Sequence, residues 1–217
     1  MSEQRRTRPD PRREATRRAL IETAESMIAE RGIHNVSARQ VGVAIGSANN
    51  TVVAYHFGGM DALITAIAIA REQGLEKRRS ELLLEVEAAG ATNDPVALLR
   101  AMCQPLFELR NAQGEHSYAR FLSSVFHTRH GNALMGLSPG FPTSSRLVLM
   151  IRAFAPPQVG GAYDRRWTVV VQMILDSLAL IDWEMPGEGE DAARWFEEVL
   201  VIAAAALTAR GPDLGSG

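Results

Sequence analysis

Residues 37–57, SARQVGVAIGSANNTVVAYHF, constrain the fold more than any other stretch of the chain. Val41 and Ile45 lie four apart and share one face of a short helix. Ser37 precedes that helix and Gln40 stands three residues later, an S-x-x-Q capping box in which each side chain satisfies an orphan backbone N–H. Gly46 follows the last apolar position and suits a left-handed C-cap. Ser47 can then cap a second short helix. Val52, Val53 and Phe57 give this second helix an apolar side that packs on Val41 and Ile45. The pattern predicts a helix, a tight turn and a helix, the form in which one helix braces across a DNA backbone while the next enters the major groove.

The side chains left outside that packing suit base and phosphate contacts. An Asn amide donates and accepts at once and matches adenine N6 and N7. A Thr hydroxyl or methyl meets a base edge, a thymine methyl or a phosphate. Asn49, Asn50 and Thr51 stand at the start of the second helix, and Tyr55 and His56 lie a turn later, within reach of phosphate oxygens. With Ser37, Arg39, Gln40 and Ser47 they make the candidate DNA-binding set. The blander reading of Asn49-Asn50 alone is a polar turn. Set between a capped short helix and Tyr55-His56-Phe57, DNA reading is the stronger expectation.

Charge distribution agrees. The net charge of −2 gives no overall pull toward nucleic acid. Residues 1–60, however, carry nine Arg against six acids, and the remainder 14 basic against 19 acidic residues. The basic part coincides with the predicted helix-turn-helix. Residues 1–16 read as a basic flexible arm, interrupted by Pro9 and Pro11, that can follow phosphates or remain a solvated tail. No apolar stretch follows the arginines as a signal peptide requires. The most apolar run, Val169–Leu175, is too short and too polar to span a bilayer. Cys103 is the only cysteine, so no internal disulfide forms, and a reducing cytoplasm is the simplest setting.

In combination these elements resemble the N-terminal domain of the TetR family of bacterial transcriptional regulators. The resemblance runs from about Arg17 to Leu63, through RRALIETAESMIAERGIHNVSARQVGVAIG and TVVAYHFGGMDAL. Arg31-Gly32, Ser37, Gly46 and Tyr55-His56-Phe57 fall where the family has a first helix ending in Gly, a Ser or Thr opening the second, a Gly turn and an aromatic close. The match covers about 47 of 217 residues. Two departures stand out. Met60 occupies the place where many members carry a phosphate-touching Lys, and the SANNT turn is more polar than the family's common form.

Beyond the match, the periodicity predicts further helices. One spans about Arg12 to Arg31 with a buried stripe of Leu20, Ala24, Met27 and Ile28, and a long one runs from Asp61 to about Val86. Asp94 and Pro95 mark a fresh helix start, and Pro105 is expected to kink or break that helix. Further helices are predicted over 115–130 and 143–154. Two apolar helices near 167–183 and 194–208 close the chain. Helices apolar on nearly every side are buried on several sides, and here that suggests packing on their own copies in a homodimer. The resemblance implies the same four-helix interface. The expected organisation is all-α: an arm at 1–16, a three-helix DNA-binding domain at 17–60, a helical effector-binding and dimerisation domain at 61–210, and a tail at 211–217.

Met102, Phe107, Tyr118, Phe121, Phe126 and His127 are the candidates for lining an effector pocket, which is implied mainly by the resemblance. Periodic aromatics are otherwise core. His116, His127 and His130 invite a metal reading, but nothing in their spacing brings three ligands together, so no metal and no cofactor is expected. Cys103 with a His lacks the flanking motif and orienting group of a nucleophilic site, and there is no glycine-rich phosphate loop. The expected function is therefore a ligand-responsive regulator, not an enzyme. It would be a homodimeric repressor that binds double-stranded DNA and is released by a small apolar or amphipathic effector. Activation, a small cytosolic helical enzyme, and a protein-interaction adaptor with a vestigial helix-turn-helix are the alternatives.

Overall fold

The computed structural model describes residues 10–126, 128, 130, 131, 134, 140–185 and 189–210. Among these residues the protein is all-α: nine α-helices and two short 3-10 turns, with no strand. The first helix, α1 (Pro11–Arg31), starts where Asp10 accepts a hydrogen bond from the Arg12 amide at 3.0 Å and Pro11 takes the first position. The helix thus reaches back into the stretch expected to be a flexible arm. An N-cap and an N1 proline suffice to start it, and residues 11–16 are helical. The rest of the expected arm, and the tail from residue 211, lie outside the described residues. Leu20, Ala24, Met27 and Ile28 form the buried stripe of α1. Gly32, at φ 79°, turns the chain out of the helix.

Two short helices follow, α2 (Ala38–Ala44) and α3 (Val52–Phe57). The long helix α4 (Met60–Ala88) has 29 residues and is about 43 Å long. Helix α5 (Pro95–Glu108) is capped by Asp94, which accepts from the Val96 amide at 2.8 Å. Pro105, expected to kink or break this helix, does not end it. It lies in the last turn, where little helix remains to be redirected, and its carbonyl still accepts from the Leu109 amide at 3.1 Å. Then come α6 (Ser117–Phe126), α7 (Pro142–Arg152), α8 (Tyr163–Glu184) and α9 (Glu190–Thr208). A 3-10 turn at Pro157–Ala162 leads into α8.

One continuous apolar core joins all of them. Helix α1 packs on α4 and, more extensively, on α6; α4 packs on α5 and α7; α8 packs on α6 and α9; and α9 closes on α5. The α1–α6 seam is polar as well as apolar. Arg71 of α4 binds the buried Glu25 of α1 at 2.6 Å, Ser117 of α6 donates to the same carboxylate at 3.3 Å, and the Ile33 amide donates to Ser124 Oγ at 2.8 Å. The N-terminal helices are therefore anchored directly to the body of the molecule, not only strung from it by α4.

A second buried polar node ties the body together. His116, fully buried, directs its ring nitrogens at Asp182 Oδ1 (2.6 Å) and the Phe107 carbonyl (3.0 Å). Phe107 stacks between His116 and Phe196. Among the described residues, no helix is long and apolar enough to cross a membrane.

Candidate nucleic-acid interface and helical cavity

The α2–turn–α3 unit is built locally from its capping chemistry. Ser37 and Gln40 form a reciprocal capping box: the Gln40 amide donates to Ser37 Oγ at 3.3 Å and the Ser37 amide to Gln40 Oε1 at 2.8 Å. Gly46 adopts φ 72° and its amide closes on the Val43 carbonyl at 2.9 Å. Val41, Val52 and Val53 are buried, with Ile45 and Phe57 half-buried beside them. The backbones of α2 and α3 cross at Gly42, where an added Cβ would lie 2.9 Å from Val52 Cγ1. That glycine was not singled out in the sequence. Its signal, a small residue directly beside the apolar Val41, resembles any helical glycine.

The turn departs from its expected form. Ser47 does not cap α3, which begins only at Val52. Its hydroxyl accepts from the Asn49 amide at 3.1 Å. Asn49 Oδ1 in turn accepts from the Thr51 amide at 2.9 Å and the Thr51 hydroxyl at 2.8 Å. Asn49 thus spends its carbonyl oxygen on the turn, an Asx-type closure that replaces a Ser cap. Its amide oxygen is taken before any base could use it. Asn50 and Thr51 are exposed, as are Ser37, Arg39 and Gln40, and Ser47 is half-buried. Tyr55 is 70% exposed and meets the His56 ring edge-on at 5.0 Å.

His56 is half-buried against α1. Arg17 donates to its carbonyl oxygen and lays its guanidinium over the Phe57 ring at 4.2 Å, so Arg17 closes the end of α3. Burial, with the positive charges of Arg13 and Arg17, holds the imidazole pKa below its usual value. A neutral ring there can donate from one nitrogen but carries no charge to a phosphate. Met60 opens α4 and packs against the core.

In the body, a cavity of about 190 Å³ lies between α4, α5, α6, α7 and α8. Of the six pocket candidates, Met102, Tyr118 and Phe126 line it. Phe121 is fully buried and stacks on Tyr118. Phe107 belongs to the His116–Phe196 stack instead, because the last turn of α5 points toward α9. His127 lies outside the described residues. Leu122, Val148, Trp167, Val171 and Leu175 complete much of the apolar wall. A smaller cavity of about 60 Å³ adjoins it around Cys103 and shares Arg79, Met102 and Trp167.

One end of the cavity is polar, and its charges were missed in the sequence. Arg79, 3% exposed, donates through Nη1 to Glu72 Oε2 (2.5 Å) and Ser144 Oγ (2.9 Å), and through Nε to the Met102 carbonyl (2.9 Å). The Tyr118 hydroxyl donates to Glu72 Oε1 at 3.1 Å. Ser144 Oγ donates to Glu76 Oε2 at 2.6 Å. Burial pushes the Tyr118 hydroxyl pKa well up, reinforced by the Glu72 charge, so the phenol stays protonated. Burial likewise pushes the Cys103 thiol up to about 12, which makes it an inert core group. In the sequence, Glu72 and Arg79 sit in a charge-rich stretch of α4 that reads as a solvated helix face.

Among the described residues, no group of three His, Cys, Asp or Glu side chains could hold a metal ion. Both His116 nitrogens are engaged by Asp182 and Phe107. His130 lies 3.9 Å from Asp61, across the molecule's N-terminal side. No family model matches the chain, and no curated protein matches it.

Proposed function

We propose that the protein is a ligand-responsive DNA-binding regulator of the TetR type, acting as a homodimer. The observation that carries the reading is the α2–α3 unit. Its apolar side is buried under α1 and α4, and Arg39, Asn50, Thr51 and Tyr55 of the unit are exposed. Two short helices whose exposed surface and intervening turn carry amide, hydroxyl and guanidinium groups suit a major groove and its flanking phosphates.

A monomer would offer one such helix, and a palindromic site needs two. The second copy fits the outer face of α8 and α9. On α8, Val169, Met173, Asp176, Leu180 and Trp183 follow a four-three spacing, with Val169 67% and Trp183 71% exposed. Val201, Ile202 and Ala205 of α9 are exposed beside them. Packing this face on its copy makes a four-helix bundle and covers apolar groups otherwise left in water.

Helix α4 supplies the link between ligand and DNA. It follows α3 after only Gly58 and Gly59, and it carries Glu72 and Arg79 into the cavity. A molecule that prefers one placement of α4 shifts the reading helices by linkage, with a coupling on the order of 1–3 kcal/mol. Release from DNA on binding, hence repression, is the reading; ligand-promoted binding would make it an activator.

The test is selection of bound duplexes from a random DNA pool with the purified full chain. An enriched palindrome supports dimeric reading. A folded dimer that enriches nothing, with or without cavity ligands, removes the DNA-binding reading. Val169→Asp combined with Ile202→Asp is expected to give monomers in sedimentation; a dimer that persists would move the interface elsewhere.

A further inference from the structure

We infer that the cavity takes an uncharged single-ring molecule with a hydroxyl group, a phenol or a close relative, with the hydroxyl seated against Glu72. The inference rests on the regulatory reading only for what the occupant does. Its presence in the cavity is argued from the walls alone.

Size comes first. A cavity of about 150 Å³ in an apolar core is known to hold benzene. This one is about 190 Å³ and opens toward a further 60 Å³. That suits one ring with a short substituent, on the order of ten heavy atoms. Its walls are Met, Leu, Val, Phe and Trp side chains, so most of the occupant is apolar.

Charge comes next. Among the described residues, Glu72 and Arg79 are the charged groups lining the cavity, and they neutralise each other at 2.5 Å. A carboxylate would meet Glu72 without a free counter-charge, and an ammonium would meet Arg79. Either ion would lose its hydration with no net compensation. The polar end therefore selects against both.

Hydrogen-bonding capacity decides the polar group. The hydroxyl hydrogens at this end are already used: Tyr118 gives its hydrogen to Glu72, and Ser144 gives its own to Glu76. Glu72 Oε1 and Oε2 accept from Tyr118 and Arg79 respectively, and each carboxylate oxygen has a second lone pair. The Tyr118 oxygen also retains acceptor capacity. A ligand O–H fills that valence as a charge-assisted bond, which an apolar isostere cannot do.

The experiment uses the purified full chain without DNA and three probes of matched shape: para-ethylphenol, ethylbenzene and para-ethylbenzoate. Binding is read by calorimetry and by Trp167 fluorescence, with Trp167→Phe as the control for the optical signal. The expected order is ethylphenol tightest, ethylbenzene about tenfold weaker, and ethylbenzoate weaker still. In Glu72→Gln the preference for the phenol over ethylbenzene should collapse. Ethylbenzoate should gain affinity there, because Arg79 is left without its partner. Val171→Trp, which fills the cavity, should abolish binding of all three while circular dichroism shows an intact helical fold.

No ethylphenol binding, equal binding of phenol and benzoate, or binding that survives Val171→Trp would each overturn the assignment. If Glu72→Gln or Val171→Trp does not fold, the order of the three probes on the native chain still decides it. Regulation is scored separately on a selected duplex. Binding without an effect on DNA keeps the cavity assignment and removes the effector role. A selected duplex with no phenol binding does the reverse.

Discussion

Asp182 of α8 accepts from two donors of one residue: the backbone amide of His116, at 2.9 Å to Oδ2 and 3.1 Å to Oδ1, and its ring Nδ1, at 2.6 Å to Oδ1. Both side chains are essentially inaccessible, at 0% and 1% exposure. The pair fixes the entry to α6 against α8, and through the Phe107 carbonyl it also fixes the end of α5. Three helices that wall the cavity meet at this point.

Removing one member should therefore be costly. Asp182→Ala leaves the His116 amide and ring without an acceptor in a dry site. The expected loss is about 3–5 kcal/mol, read as a fall in the urea midpoint. Asp182→Asn keeps one acceptor and should lose less. An Asp182→Ala protein as stable as the parent would show that the node is dispensable.

Gly42→Ala tests the crossing of α2 and α3. The new methyl would lie 2.9 Å from Val52 Cγ1, and Val52 is buried and β-branched, with little room to turn away. Overpacking of this kind costs about 1–3 kcal/mol, which outweighs the roughly 1 kcal/mol gained from helix propensity. A thermal melt would show the sign directly. Increased stability would mean that the two helices separate easily.

Asn49 and Asn50 should behave differently despite being neighbours. Asn49→Ala removes the acceptor that closes the turn onto Thr51, so it should lower stability by about 0.5–2 kcal/mol. Asn50→Ala should leave stability alone and weaken binding to a selected duplex by about 1–3 kcal/mol. Thr51→Ala should weaken binding similarly and also lose the hydroxyl bond to Asn49, at a cost of about 0.5–1.5 kcal/mol in stability. Melting curves and gel-shift titrations on the same three variants separate the two roles. If Asn50→Ala and Thr51→Ala bind like the parent, these residues leave the reading surface.

Acid should loosen the packing of α4 on α7. Burial pushes the Glu76 carboxyl up, but hydrogen bonds from Ser144 and Thr143 outweigh it and bring the pKa below the ordinary 4.5. A depressed carboxylate contributes stability that is present above pH 4.5 and is lost as the pH falls through the folded value. Glu108 shifts the same way because hydrogen bonds and charge from Arg78 outweigh burial, and Glu197 because of its hydrogen bonds to Arg100. Stability should fall below about pH 4.5, and Glu76→Gln should flatten part of that limb. An unchanged limb would place the acid sensitivity in the other two carboxylates.

How much of this was legible in the sequence follows from the range of the interactions. The capping box at Ser37–Gln40, the Gly46 turn and the Asp94-Pro95 start were readable because their partners lie within a few residues. The stripe of α1 was readable because helical periodicity repeats. The Ser47–Asn49–Thr51 closure was not, since several side chains in a polar turn can each take the cap and the geometry picks one. The sequence did not tell whether Pro105 would end its helix, because that depends on how close the helix end lies.

The sequence by itself determined an all-α chain, the short helix pair with its polar outer residues, and a basic N-terminal part. Each follows from local propensity, capping and composition. Only the tertiary structure decided that Glu25 of α1 meets Ser117 of α6 and Arg71 of α4, that His116 pairs with Asp182, and that Phe107 joins the core stack while Met102 and Tyr118 face a cavity. It also decided that Glu72 and Arg79 form the polar end of that cavity. The physical reason is desolvation. A buried charge persists only where a partner arrives with it, and partners such as Tyr118, Ser144 and Asp182 come from helices tens of residues away.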